Sequence, residues 1–132
     1  MAGTLQFDLV SPERRLSSVA ASAVEIPAAA GDVTAMEGHV PTITSLRPGI
    51  LRAHSAEGVK AFCVTGGFAE ITASSVSVLA ENAVPVEELT GTMLDDMVAE
   101  ARALLDAALP EDKDNAEKML QDLIQMKTAA GH

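Results

Sequence analysis

At 132 residues the chain has room for one ordinary domain, or a small one with an appendage, but not for two large independent cores. Nine basic side chains against nineteen acidic ones leave a net charge of −10, which excludes counterion-driven binding to nucleic acid and an electrostatic hold on anionic lipid. Apolar residues make up 48% but aromatics only 2%, with no Trp or Tyr, so the core must be assembled from Val, Leu, Ile, Ala and Met around three Phe.

Near the start, Leu5-Gln6-Phe7-Asp8-Leu9 alternates apolar and polar residues, the period of a strand with one buried face. Short β-like runs recur at Val24-Glu25-Ile26, Ile50-Leu51-Arg52, Val59 to Thr65, Phe68 to Thr72 and Val76 to Leu79. Between them stand turn signals, namely Ala30-Gly31-Asp32, Pro48-Gly49, Glu57-Gly58 and Gly66-Gly67. From Glu25 to Gly49 the chain is ordered by Pro27, Gly31, Gly38, Pro41, Pro48 and Gly49, a pattern of scaffold turns rather than of an active site. Short strands at intervals of roughly ten residues predict a sandwich or flattened barrel over residues 1–85.

After Val84-Pro85-Val86 the period changes. Met93, Met97, Ala101, Leu104, Leu105 and Ala108 recur in three- and four-residue steps, which predicts an amphipathic helix, with Glu87 and Glu88 near its positive end. Leu109-Pro110 breaks it, because the residue before a proline is pushed out of the helical region. Ala116, Met119, Leu120, Leu123, Ile124 and Lys127 mark a second helix, and the short connection favours an antiparallel hairpin over residues 86–132. Four of the six Met lie at apolar positions of these helices, where adaptable packing suits them. Residues 1–85 carry five basic and eight acidic side chains, residues 86–132 four and eleven, so the balances are −3 and −7.

The chain offers little chemistry. Cys63 lies inside the apolar run Phe62-Cys63-Val64 and cannot form an internal disulfide, so it reads as a small buried hydrophobe in a reducing compartment. His39, His54 and His132 have no His or Cys at zinc-ligand spacing. Gly66-Gly67-Phe68 lacks the Gly-Lys-Ser/Thr ending of a phosphate loop and reads as a tight β-turn. Asp95-Asp96 and the other carboxylates of the tail read as a solvated helix face, without calcium-loop spacing. No run approaches the ~20 apolar residues of a membrane span, and the first residues lack the pattern of a signal peptide, so a soluble chain without direct membrane insertion is expected. An enzymatic reading would need Cys63 as nucleophile or His39 as base, with no orienting partner beside either.

Six motifs in fixed order carry a resemblance: LVSPE at Leu9 to Glu13, the Gly31-Asp32 turn, GHVP at Gly38 to Pro41, LRPG at Leu46 to Gly49, GGFAE at Gly66 to Glu70 and VLAE at Val78 to Glu81. With the helical period after Pro85, the chain resembles the epsilon subunit of the bacterial F-type ATP synthase. That resemblance implies a mainly β, α+β chain: a flattened ten-stranded β-sandwich followed by an antiparallel two-helix hairpin.

By the same resemblance the chain is a non-catalytic central-stalk subunit without cofactor or metal. It binds the gamma subunit and the c-ring within an alpha3-beta3-gamma-epsilon assembly, coupling proton-driven rotation to ATP synthesis at the cytoplasmic face of the inner membrane. Asp32 aligns with the position facing the c-ring, and His39, Val40, Pro41, Thr42, Ile43, Thr44 and Ser45 align with the segment along gamma. Leu94-Asp95-Asp96-Met97-Val98-Ala99 resembles the ATP-binding pattern of some relatives, with Asp95 as its acid but Val98 in place of the expected arginine, which removes the cation for phosphate. In inhibitory relatives basic C-terminal helices meet an acidic segment of the beta subunit. Contact of these helices with alpha and beta, and regulation of hydrolysis, are therefore expected to be weak at a balance of −7. The alternative is a free regulatory module of sandwich and hairpin that binds nucleotide or a protein partner.

Overall fold

The structure, a computed structural model, describes residues 3–129. His132 lies outside them. Seven strands come first: β1 (Leu5–Val10), β2 (Arg15–Ala28), β3 (Gly31–Ala35), β4 (Thr42–Ser45), β5 (Gly49–Ser55), β6 (Gly58–Ile71) and β7 (Ser75–Pro85). Two helices follow, α1 (Gly91–Ala107) and α2 (Lys113–Ala129).

The strands close on themselves. β1 pairs antiparallel with β2 and parallel with β7, β7 with β6, β6 with β5, and β5 back with β2. β3 joins the second half of β2, and β4 the second half of β6. The seven strands and the expected ten are the same architecture. β2, β6 and β7 run 14, 14 and 11 residues, and each changes partners along its length, so counting those three twice gives ten strand segments.

One sheet holds β3, the second half of β2, β5, the first half of β6 and the second half of β7. The other holds the first half of β2, β1, the first half of β7, the second half of β6, and β4. The alternating residues Leu5, Phe7 and Leu9 of β1 enter the interior with Val24, Leu51, Val64, Ile71 and Val76, all fully buried.

The strand reading needs two corrections. Gly66-Gly67 is not a turn between strands but the middle of β6, paired to β7 on both sides. Both glycines have positive φ, and a Cβ on Gly67 would collide with the Leu79 carbonyl and stand 2.8 Å from the Ala80 Cα, so β6 bends there from one sheet to the other without ending. β2 also begins at Arg15, nine residues ahead of the apolar run at Val24, because its first half, with Leu16 and Val19 among Ser and Ala, is held as a strand by pairing with β1.

A short 3-10 turn, Val86–Glu88, links sandwich to hairpin. It corrects the placing of Glu87 and Glu88, which precede α1 rather than serve its dipole; Glu88 instead takes the Arg14 guanidinium at 3.3 Å. The cap of α1 is Thr90, whose hydroxyl accepts the Met93 amide N–H at 3.1 Å. A proline-led 3-10 turn, Pro110–Asp112, then reverses the chain into α2 as expected. The acidic face of the tail has one exception: Asp122 is buried and accepts the Lys118 ammonium at 3.2 Å, one turn away.

The hairpin lies folded on the sandwich. In the first sheet Ile50, Cys63 and Val84 pair in one row across β5, β6 and β7, and this outer row packs under Leu94, Ala101, Leu120, Leu123 and Met126. Phe62 and Val64, the neighbours of Cys63, face the sandwich interior. The continuous run Phe62-Cys63-Val64 is therefore a strand buried on both faces.

Candidate protein-docking surface

Among the described residues no helix packs over the outer face of the second sheet. Val10, Leu79, Phe68 and Ser45 stand in one paired row across β1, β7, β6 and β4, and Asp8, Ser77, Glu70 and Ile43 form the next row on the same face. Phe68 and Leu79 are each 61% exposed and Ile43 74%. A shallow hollow between them is walled by Val10, Pro12, Phe68 and Leu79, which brings the LVSPE motif into the same patch. Ile43 lies diagonal to Phe68, within reach of a large side chain on a sheet. Water meets these apolar groups at a free-energy cost that burial against another surface would recover.

The segment from His39 to Ser45 forms the edge of this face. At one end the Gly38 amide bonds the Ala73 carbonyl at 2.8 Å. At the other, Ala29 and Leu46 donate to the Ser45 and Gly67 carbonyls, both at 2.9 Å. Between these anchors β4 runs along β6, with Val40 and Ile43 exposed. His39 accompanies the edge without forming a catalytic pair: its Nδ1 lies 2.6 Å from the Val40 carbonyl, which can only accept, so that nitrogen carries the proton. The Thr42 hydroxyl donates to the same carbonyl at 2.9 Å, and that of Thr44 to the Ser45 carbonyl at 3.2 Å. Pro41 is exposed between them.

Asp32 is tied to this edge through its neighbour in sequence. It follows the tip of the β2–β3 hairpin, pairs in register with Pro27 and makes an ion pair with Arg47, two residues beyond Ser45. The Arg47 amide also donates to the Pro27 carbonyl at 3.0 Å. One end of the sandwich thus presents an exposed carboxylate held in place by the LRPG motif.

The remaining candidate residues lie elsewhere. Asp95 faces Lys127 across the hairpin at 2.5 Å, and Val98 packs into the layer between hairpin and sheet. His54 meets Glu25 at 2.6 Å on the outer face of the first sheet. Cys63 is buried under the helices, and desolvation pushes its thiol up to about 11 despite the nearby Arg52, so it is protonated at neutral pH. Nucleophile and base of the enzymatic reading are on different surfaces. Among the described residues no three His, Cys, Asp or Glu side chains converge, and no helix is long and apolar enough to cross a membrane.

Sequence reasoning missed Phe68 and Leu79. Their signal was present: Phe68-Ala69 and Val78-Leu79 place apolar residues at consecutive strand positions, so both faces of the strand are apolar there. Only the register shows that these two share the uncovered face.

Architecture and surface together define a class: a flattened β-sandwich with a docked helical hairpin, whose uncovered sheet displays Ile43, Phe68 and Leu79 in adjacent rows. Residues 4–86 match the family described as "ATP synthase, Delta/Epsilon chain, beta-sandwich domain". Over 132 residues, all of both chains, the protein is 67% identical to "ATP synthase epsilon chain 1" of Cereibacter sphaeroides. It is 44% identical to the ATP synthase epsilon chain of Paracoccus denitrificans, covering 99% of this chain and 93% of that one. The chain belongs to the epsilon-chain family of ATP synthase. Its fold is also that of a chain in the Euglena gracilis mitochondrial ATP synthase, solved with OSCP, F1 and c-ring, at a TM-score of 0.76 and 24% identity over 100% of this chain and 84% of that one.

Proposed function

We propose that the chain is a non-catalytic central-stalk subunit of a proton-translocating F-type ATP synthase, peripheral at the cytoplasmic face of the membrane, which binds gamma and the c-ring and couples rotation to ATP synthesis. The observation that carries this reading is the uncovered row Val10-Leu79-Phe68 with the His39–Ser45 edge beside it. In this reading gamma covers that face, and the c-ring meets the end of the sandwich at Asp32. The closed circuit of strands supplies the stiffness that passing torque between two interfaces requires. Residues 1–85 act as the coupling unit and 86–132 as an appendage.

Regulation of hydrolysis by the appendage is weak in this reading. Its balance of −7 opposes contact with an acidic partner segment, and Asp95, the acid of the nucleotide pattern, is engaged by Lys127.

Reconstitution of the complex with Phe68→Asp/Leu79→Asp tests the assignment. Both positions are solvent-exposed, so the sandwich should fold, while retention of the subunit on gamma should fall at least about tenfold, as loss of central apolar contacts does at interfaces. Wild-type retention by a folded double variant would refute the assignment. In the same reconstitution, removing residues 87–132 should leave hydrolysis within about twofold; a several-fold rise would instead make the appendage an inhibitor.

A further inference from the structure

A second apolar surface lies on the hairpin and meets the uncovered face only at Glu81, which lines the hollows of both. A groove of about 410 Å³ opens between the end of α1 and the start of α2, with Leu104, Ala108, Leu109, Ala116 and Met119 among its walls. A second groove of about 370 Å³ continues from it between hairpin and sandwich, sharing Ala101, Leu104 and Met119 and ending at Leu46, Pro48 and Gly66. Leu104 and Leu109 are 59% and 60% exposed and Met119 46%, although Met119 and Leu104 stand at the helical spacing that should have turned them inward. Met97 to Ala108 spans about 16 Å of helix, the length of about three turns of a helix laid beside it.

The free charge along this channel is negative: Arg47 and Lys118 wall an adjoining hollow at Leu46, Pro48 and Met119, but each is engaged by a carboxylate, Asp32 and Asp122. Glu81, Glu100 and Asp112 line it, and no Lys or Arg does. Of the four basic residues of the appendage, Lys118 is drawn to Asp122 and Lys127 to Asp95, while Arg102 and Lys113 are absent from the walls. A second copy of this chain would bring its own −10 charge against that rim, at a cost.

We infer that this channel is a docking site for a basic amphipathic helix of a partner protein, which lays an apolar stripe on Leu104, Leu109 and Met119 and sets Lys or Arg against Glu81, Glu100 and Asp112. The mode is helix-in-groove, read by anchors at i, i+3 or i+4 and i+7. The site does not depend on the proposed contact with gamma, because its apolar anchors Leu104, Leu109 and Met119 belong to the hairpin and only Glu81 is shared with the uncovered sheet.

The test uses the full chain and three synthetic 15-residue peptides: one with a Leu stripe at helical spacing and Lys elsewhere, the same stripe with Glu elsewhere, and the Leu/Lys composition scrambled to destroy the stripe. By fluorescence anisotropy at low salt the striped Leu/Lys peptide should bind with a Kd on the order of 10 μM and at least about tenfold more tightly than either control. Leu104→Ser with Met119→Ser should remove that preference while circular dichroism stays unchanged, and Glu100→Lys should weaken binding about threefold or more. Equal binding of the striped and scrambled Leu/Lys peptides, or full binding by a folded Leu104→Ser/Met119→Ser variant, would overturn the inference. So would concentration-dependent dimerisation, seen by sedimentation and abolished by the same substitutions, since the channel would then belong to a second copy.

Discussion

The sandwich interior and the layer beneath the hairpin are both apolar, yet they hold the molecule together differently. In the interior, side chains from two sheets meet across a closed circuit of paired strands, and Phe7, Leu9, Val24, Leu51, Val64, Ile71 and Val76 have no exposed surface at all. Under the hairpin, one row of three strand residues meets one face of two helices, and Leu94 alone is completely covered. The polar fastenings there are also few: Asp95 to Lys127 joins the helices to one another, and Arg14 to Glu88 tethers the connecting turn at the surface. Exposed pairs of this kind contribute about 0–1 kcal/mol. An element attached by one thin layer opens at a lower free energy than a core enclosed by strands on all sides. The difference in burial therefore predicts a stiff body and a separable appendage in one short chain.

That difference is open to direct test. Phe7→Ala removes the largest fully buried side chain of the interior and should cost about 3–5 kcal/mol, lowering the melting temperature by roughly 10–20 °C. Hydrogen-exchange protection should then fall throughout Leu5–Pro85. Leu94→Ala should cost the hairpin layer about 2–5 kcal/mol, but loss of protection should be confined to Gly91–Ala129. If Leu94→Ala instead accelerates exchange in β1, β2 and β6 as strongly as in the helices, sandwich and hairpin are one cooperative unit and the contrast is wrong.

How much of this could be read from the chain varies with the kind of signal. The helices were legible because Met97, Ala101 and Leu105 repeat within one continuous segment, and Pro110 marks the break. β1 was legible for the same reason, through Leu5, Phe7 and Leu9. Gly66-Gly67 was misread because the same residue type serves a turn and a mid-strand bend, and only the approach of the Leu79 carbonyl from β7 separates them. β3, β4 and the first half of β2 carry few large apolar residues; their strand state comes from partners far away in sequence. The exposed face failed for a related reason. His39 to Ser45 was reached through family likeness, whereas Phe68 and Leu79 become neighbours only when β6 and β7 pair.

Cys63 reports on the boundary between the two regions, and its expected effect is the smallest. Its thiol faces the hairpin while its neighbours in sequence face the interior, and burial raises its folded-state pKa from about 9 to about 11. A group whose pKa is raised on folding contributes stability that is present below its unfolded pKa and lost as pH climbs through the folded one. From pH 9 to 11 the unfolded thiol ionises while the folded one resists, so the native state should lose about 1–2 kcal/mol through this group alone. All other ionisable groups are common to the two proteins, so the measurement is the difference in denaturation midpoint against pH between wild type and Cys63→Ala. The wild-type curve should fall more steeply above pH 9 and coincide in slope below pH 8. Parallel curves throughout would mean that water reaches the thiol beneath the helices, and that the hairpin is open often enough for its layer to seal nothing.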